Sequence, residues 1–197
     1  MKKVLMVLLV AMLALSLGVS TLAGPSDDAI VLEDFSSENN ESVWGNWSPF
    51  HASFRITDEE EYTKDSDRSL VITKASEYRQ SNASLHNTHE NWDLLIENNT
   101  IGFWLYVEDY DNIYENEWAV FLAPHDQDGE WMGSILNVRQ SELEPGWNWV
   151  ETWIDSIYGD VGSLMFGFNH YAPEDEDGNI DMDNVFTSVY IDSIYVW

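Results

Sequence analysis

The sequence contains no cysteine. No disulfide can brace the fold, and no N-terminal cysteine is there to carry a lipid anchor. Basic residues are almost as scarce, with 8 Lys and Arg against 36 Asp and Glu and a formal net charge of −28. Such a surface repels nucleic acid and anionic lipid. Removing residues 1–23 would leave Lys64 and Lys74 as the remaining lysines. An acidic excess of this kind keeps halophilic proteins hydrated in concentrated salt, where their self-repulsion is screened, and calcium-binding loops are the other source of such acidity. Long hydrophobic runs are also missing except at the start. There Lys2 and Lys3 precede an apolar stretch from Val4 to about Leu17, and small residues end at Ala23. This pattern predicts a secretory signal peptide over residues 1–23, hence an extracellular protein, with one domain over residues 24–197. An uncleaved anchor is the rival reading, because the run is close to the ~20 residues that span a bilayer.

Helical periodicity is nearly absent, and what takes its place is alternation. Residues 29–35 read as a first strand and residues 54–57 as a short one. Between that and a β-branched strand at 69–73, residues 58–67 form an acidic loop with six carboxylates. Residues 78–89 alternate weakly, as a solvent-facing strand would, and residues 91–95 read as a loop. In residues 100–107, Ile101, Phe103, Leu105 and Val107 form an inner face while Trp104 and Tyr106 point away. Residues 118–123 and 131–138 are two further strands around a turn at 126–129, residues 164–171 direct Leu164, Phe166 and Phe168 inward, and residues 189–196 close the chain. An echo, Ala123-Pro124 to Gly129 against Ala172-Pro173 to Gly178, fails as a calcium loop because proline stands where the first ligand belongs; turn chemistry accounts for it. Many short strands with Gly, Asn and Asp turns predict an all-β fold, an antiparallel β-sandwich or jelly roll.

The stretch richest in information is Pro145-Gly146-Trp147-Asn148-Trp149-Val150-Glu151-Thr152-Trp153-Ile154. Strand alternation places Trp147, Trp149, Glu151 and Trp153 on one face and Val150, Thr152 and Ile154 on the other. Three indoles on one strand face exceed what packing requires, so at least one is expected to meet solvent or ligand. Trp147, next to the turn, is assigned to the core rim, and Trp44, Trp47 and Trp131 have no clear face. Sugars stack their C–H faces on indoles and phenols and hydrogen-bond to adjacent polar groups. With the strands of Trp104, Trp149 and Asn169 side by side, the outward face would combine Trp104, Tyr106, Trp149, Glu151, Trp153, Asn169 and Tyr171. The bland alternative is that several of these indoles lie under loops as a second layer of core.

The order of five motifs resembles carbohydrate-binding modules of the galactose-binding-like β-sandwich superfamily. They are Leu32-Glu33-Asp34-Phe35, Ser69-Leu70-Val71-Ile72, Phe103-Trp104-Leu105-Tyr106-Val107, Pro145-Gly146-Trp147-Asn148 and Val189-Tyr190-Ile191-Asp192-Ser193-Ile194. The resemblance implies a non-catalytic polysaccharide binder. It also implies a structural calcium ion tying the first strand to the last through Glu33 or Asp34, Asp192 and backbone oxygens near residues 65–68.

Neutral glycans suit an acidic face better than anionic ones. The alternative from another class is an extracellular surface or matrix protein that uses the sandwich for assembly or adhesion; an aromatic patch without polar partners would favour it. A lyase or glycoside hydrolase is the least favoured reading. The paired-carboxylate strand motif of jelly-roll hydrolases is missing, and Arg55, Arg79, Arg139, His51, His86, His89, His125 and His170 are scattered, with His170-Tyr171 the most suggestive pair. His86 and His89 are discounted as metal ligands because their surroundings do not read as helix. Asn40, Asn46, Asn82 and Asn98 stand in glycosylation sequons.

Overall fold

A computed structural model describes residues 24–36, 43–45, 52–74, 80–108, 110–113, 119–154, 160–169 and 188–197. The leader 1–23 lies outside these, as do Trp47, His51, Arg79, His170, Tyr171, Asn40, Asn46 and the second copy of the echo. The elements in chain order are β1 (Ile30–Glu33), β2 (Trp44–Gly45), β3 (Ala52–Thr57), β4 (Ser69–Lys74), β5 (Gln80–His86), α1 (Trp92–Glu97), β6 (Thr100–Val107), β7 (Val120–Asp126), β8 (Leu136–Val138), β9 (Gly146–Trp153), β10 (Val161–Asn169) and β11 (Ser188–Val196).

They form two antiparallel sheets. One runs β3-β4-β11-β6-β9, with β1 also paired to β11; the other runs β2-β5-β10-β7-β8. The expected β-sandwich is the architecture observed. Its core holds the inward residues read from alternation: Ile101, Phe103, Leu105, Val107 and Val150 from one sheet, Leu164, Phe166 and Phe168 from the other. Trp44, without a clear face in the sequence, packs in this core between Phe35 and Phe166, at ring-centroid distances of 5.8 and 5.6 Å.

Three local expectations are corrected. The segment expected as a solvent-facing strand holds β5, whose Ser81 to Leu85 are buried, because β5 is flanked by β2 and β10. Residues 91–95 are not a loop: α1 buries Trp92 and Leu95 one helical turn apart. β10 lies in the other sheet from β6 and β9, so the strand of Asn169 does not lie beside those of Trp104 and Trp149.

β11 is irregular in a way that shapes everything around it. Val189 and Ile191 point inward, and so do Ile194 and Val196, which a regular strand cannot arrange. A bulge between Asp192 and Ile194 absorbs the extra residue. On one side β11 pairs with β6 along its length, and on the other it pairs with β4 before the bulge and with β1 after it.

Candidate functional site

The outward side of the six-stranded sheet carries the aromatic residues. β6 and β9 pair so that Trp104 lies opposite Trp149, Tyr106 opposite Trp147, Gly102 opposite Glu151 and Thr100 opposite Trp153. β11 adds Tyr190 beside Tyr106 and Asp192 beside Trp104. Within this face two of the named indoles are covered. Trp149 is fully buried: its ring meets Trp104 at 5.2 Å and stacks with Trp197 at 6.3 Å, and its Nε1–H donates to Glu151 at 2.8 Å. Gly102 makes room for it, since a Cβ there would lie 2.5 Å from Trp149 Cζ2. Trp104 is 8 % exposed. It donates its Nε1–H to Asp65 at 2.6 Å, and the Lys64 ammonium sits 5.0 Å from its ring centre. The second core layer expected as the bland alternative is what these two residues form.

Asp192 and Tyr190 are buried as well, and four other residues of the face meet solvent at least in part. Trp153 is 62 % exposed and Glu151 is exposed, while Tyr106 and Trp147 are half-buried, edge to face at 5.3 Å. Beside them Tyr62 stacks on Tyr190 with centroids 3.9 Å apart, and the hydroxyls of both lie 3.3 Å from Glu108. Burial and then the Glu108 charge push the Tyr190 phenol up. Tyr106 is raised by burial and then by Glu61 and Glu108. These phenols therefore stay protonated and able to donate at any ordinary pH. Sequence reasoning missed Tyr62, Tyr190 and Glu108. Tyr190 was legible from its alternation with Asp192, but nothing in the acidic loop singles out Tyr62.

The outward side of the five-stranded sheet is different in kind. His86, Ser163 and His125 form one cross-strand row that ends at Trp131, which is 55 % exposed. Phe121, Ala123 and Met165 pack into a small apolar cluster apart from the main core. Asn169 belongs to this face, and Asn137 stands opposite Phe121. Burial holds the His125 imidazole below its usual value, with Asp126 opposing weakly.

The nominated metal ligands each face donors of the chain itself. Glu33 is buried, accepting the Phe35 N–H at 2.6 Å on one oxygen and facing His89 Nε2 at 3.0 Å on the other. His89 Nδ1 accepts the Asn91 N–H at 3.1 Å, so the ring carries its proton on Nε2 and donates it to Glu33. Asp34 accepts the Ser36 N–H in a turn. Asp192 accepts from N–H and O–H donors of Lys64, Asp65, Ser66 and Ser193. No group of three or more acidic or histidine side chains converges among the described residues.

No family model matches the sequence, and no curated protein matches it. Solved structures do. One, from work on the promiscuous specificity of carbohydrate-binding modules of the β-sandwich superfamily, is 16 % identical and aligns over 89 % of this chain with a TM-score of 0.53; this chain spans 64 % of its length. Another, a carbohydrate-binding module specific for non-crystalline cellulose, is 15 % identical over 91 % of this chain and all of its own, with a TM-score of 0.50. At these identities the likeness is one of fold: the chain is built as β-sandwich carbohydrate-binding modules are.

Proposed function

We propose that the chain is an extracellular, non-catalytic binder of a neutral polysaccharide, engaged along β9 on the outward side of the six-stranded sheet. The observation that carries this reading is the line of half-buried Trp147 and exposed Glu151 and Trp153, with half-buried Tyr106 beside it on β6. Trp147 and Trp153 are six residues apart on one strand face, roughly 20 Å at a rise of about 3.3 Å per residue. That length suits an extended chain better than a single small sugar. Indole faces would stack on the sugar rings, and Glu151 and the protonated phenol of Tyr106 would meet the hydroxyls. The surrounding Glu61, Glu108 and Glu151 favour an uncharged glycan over an anionic one.

A second placement is favoured by the row in which exposed His86 and half-buried Ser163 lead across buried His125 to exposed Trp131 on the other sheet. Tryptophan fluorescence titrated with soluble β-glucan, xylan and mannan separates the two. A saturable shift lost in Trp153→Ala and weakened in Trp147→Ala, while Trp131→Ala binds normally, is the expected result. Loss in Trp131→Ala or Asn137→Ala alone moves the site to the five-stranded sheet. If no glycan shifts the signal and the protein associates as its concentration rises in sedimentation, polysaccharide binding gives way to assembly.

A further inference from the structure

We infer that the joint between the first and last strands closes without a metal ion, on the Asp192 carboxylate seated in a cradle of backbone amides. The joint lies where β11 exchanges β4 for β1, and its backbone is unusual on both sides. Ser193 in the bulge has φ 40° and Phe35 just past β1 has φ 60°, a left-handed conformation that L side chains rarely adopt. Something must hold both, and hydrogen bonds converge there.

Asp192 is fully buried. The N–H groups of Lys64, Asp65 and Ser66 all point at its Oδ2, those of Asp65 and Ser66 at 3.0 and 3.4 Å. Consecutive amides aimed at one point make an anion-binding nest. A cation placed there would face the positive ends of three amide dipoles, whereas a carboxylate is what they attract. The second oxygen, Oδ1, receives the hydroxyls of Ser66 at 2.6 Å and Ser193 at 2.8 Å. The Ser66 hydroxyl also lies 2.5 Å from the Arg68 carbonyl, so its single proton is shared between that carbonyl and Asp192. On the β1 side, both oxygens of Glu33 face N–H donors, Phe35 and His89. Calcium requires about six to eight oxygen ligands free to face it. Here both oxygens of Glu33 and of Asp192 face protons, and Asp34 turns one oxygen to the Ser36 N–H. The hydrogen bonds from 64–66 to 192 and from 33 to 89 tie the acidic loop, β11, β1 and the turn before α1 into one unit.

The test is thermal melting of the purified protein in chelator and in calcium at matched ionic strength, repeated for Asp192→Asn, Ser66→Ala and Asp34→Asn. We expect one melting temperature for the parent in both buffers, and a fall of several degrees in Asp192→Asn and a smaller one in Ser66→Ala in both buffers alike. A calcium shift that survives both in Asp192→Asn and in Asp34→Asn also supports the inference, because it reports ions held away from the joint and from the open recess beside it that Asp34, Asp65 and Asp67 line. A saturable rise with calcium in the parent that disappears in Asp192→Asn, or in Asp34→Asn, which leaves the Asp192 cradle intact, overturns it.

Discussion

Trp149 and Trp153 are four residues apart on one strand face and have opposite fates. Trp149 fills the space over Gly102 and is sealed by Trp104 and Trp197, while Trp153 stands in water beyond them. Replacing Trp149 by alanine should cost about 3–5 kcal/mol of stability. Trp153→Ala should stay within about 0.5 kcal/mol of the parent. Urea unfolding of both variants measures the contrast. His125 belongs to the same scale. Burial lowers its value from 6.5, so the unfolded ring takes up a proton at a higher pH than the folded one. The stability it contributes is complete above pH 6.5 and is lost as the pH falls below that value toward the folded one. Melting temperature followed from pH 7.5 to about 5.5 should fall less steeply in His125→Gln than in the parent. Among the sequons, Asn82 is fully buried and cannot carry a glycan in the folded chain.

At the scale of elements, alternation made the inner faces of β6, β9 and β10 readable, because each residue's neighbour two positions on shares its environment. The outer faces were not readable in the same way. Nothing in the alternation of Trp104, Trp149 and Trp153 tells which is covered, since the cover comes from Asp65, Lys64 and Trp197, distant in sequence. The placement of Asn169 failed for a related reason: period two assigns a side to a residue but does not assign a strand to a sheet. α1 was missed because six residues are too few for a helical period to stand out. The bulge in β11 went unread, although its signal is in the sequence. Val189, Ile191, Ile194 and Val196 change parity across Asp192-Ser193, and only an extra residue reconciles them. Gly102 gives the sharpest element-scale prediction. A methyl group there would press on Trp149 and Trp197 at 2.5 and 2.9 Å. Gly102→Ala should therefore displace Trp149, lower the melting temperature and redden tryptophan emission as the indole meets water.

For the whole molecule, charge dominates. A net charge of −28 strains a compact body through self-repulsion. Between about 0.1 and 1 M salt the screening length falls from about 10 to 3 Å, so sodium chloride should raise the melting temperature steadily over that range. A protein of ordinary charge would show little such rise.

The position of β11 carries a consequence for the order of events in folding. β1, β4 and β6 are made early, yet in the six-stranded sheet all three take β11 as a partner, and β1 takes no other. β3 can zip onto β4 and β9 onto β6, but these two hairpin-like halves cannot meet until the final strand arrives between them. The sheet is thus a structure waiting for its keystone. Its closure is set by long loop closures, slow by nature, and the sheet stays open until β11 has been made.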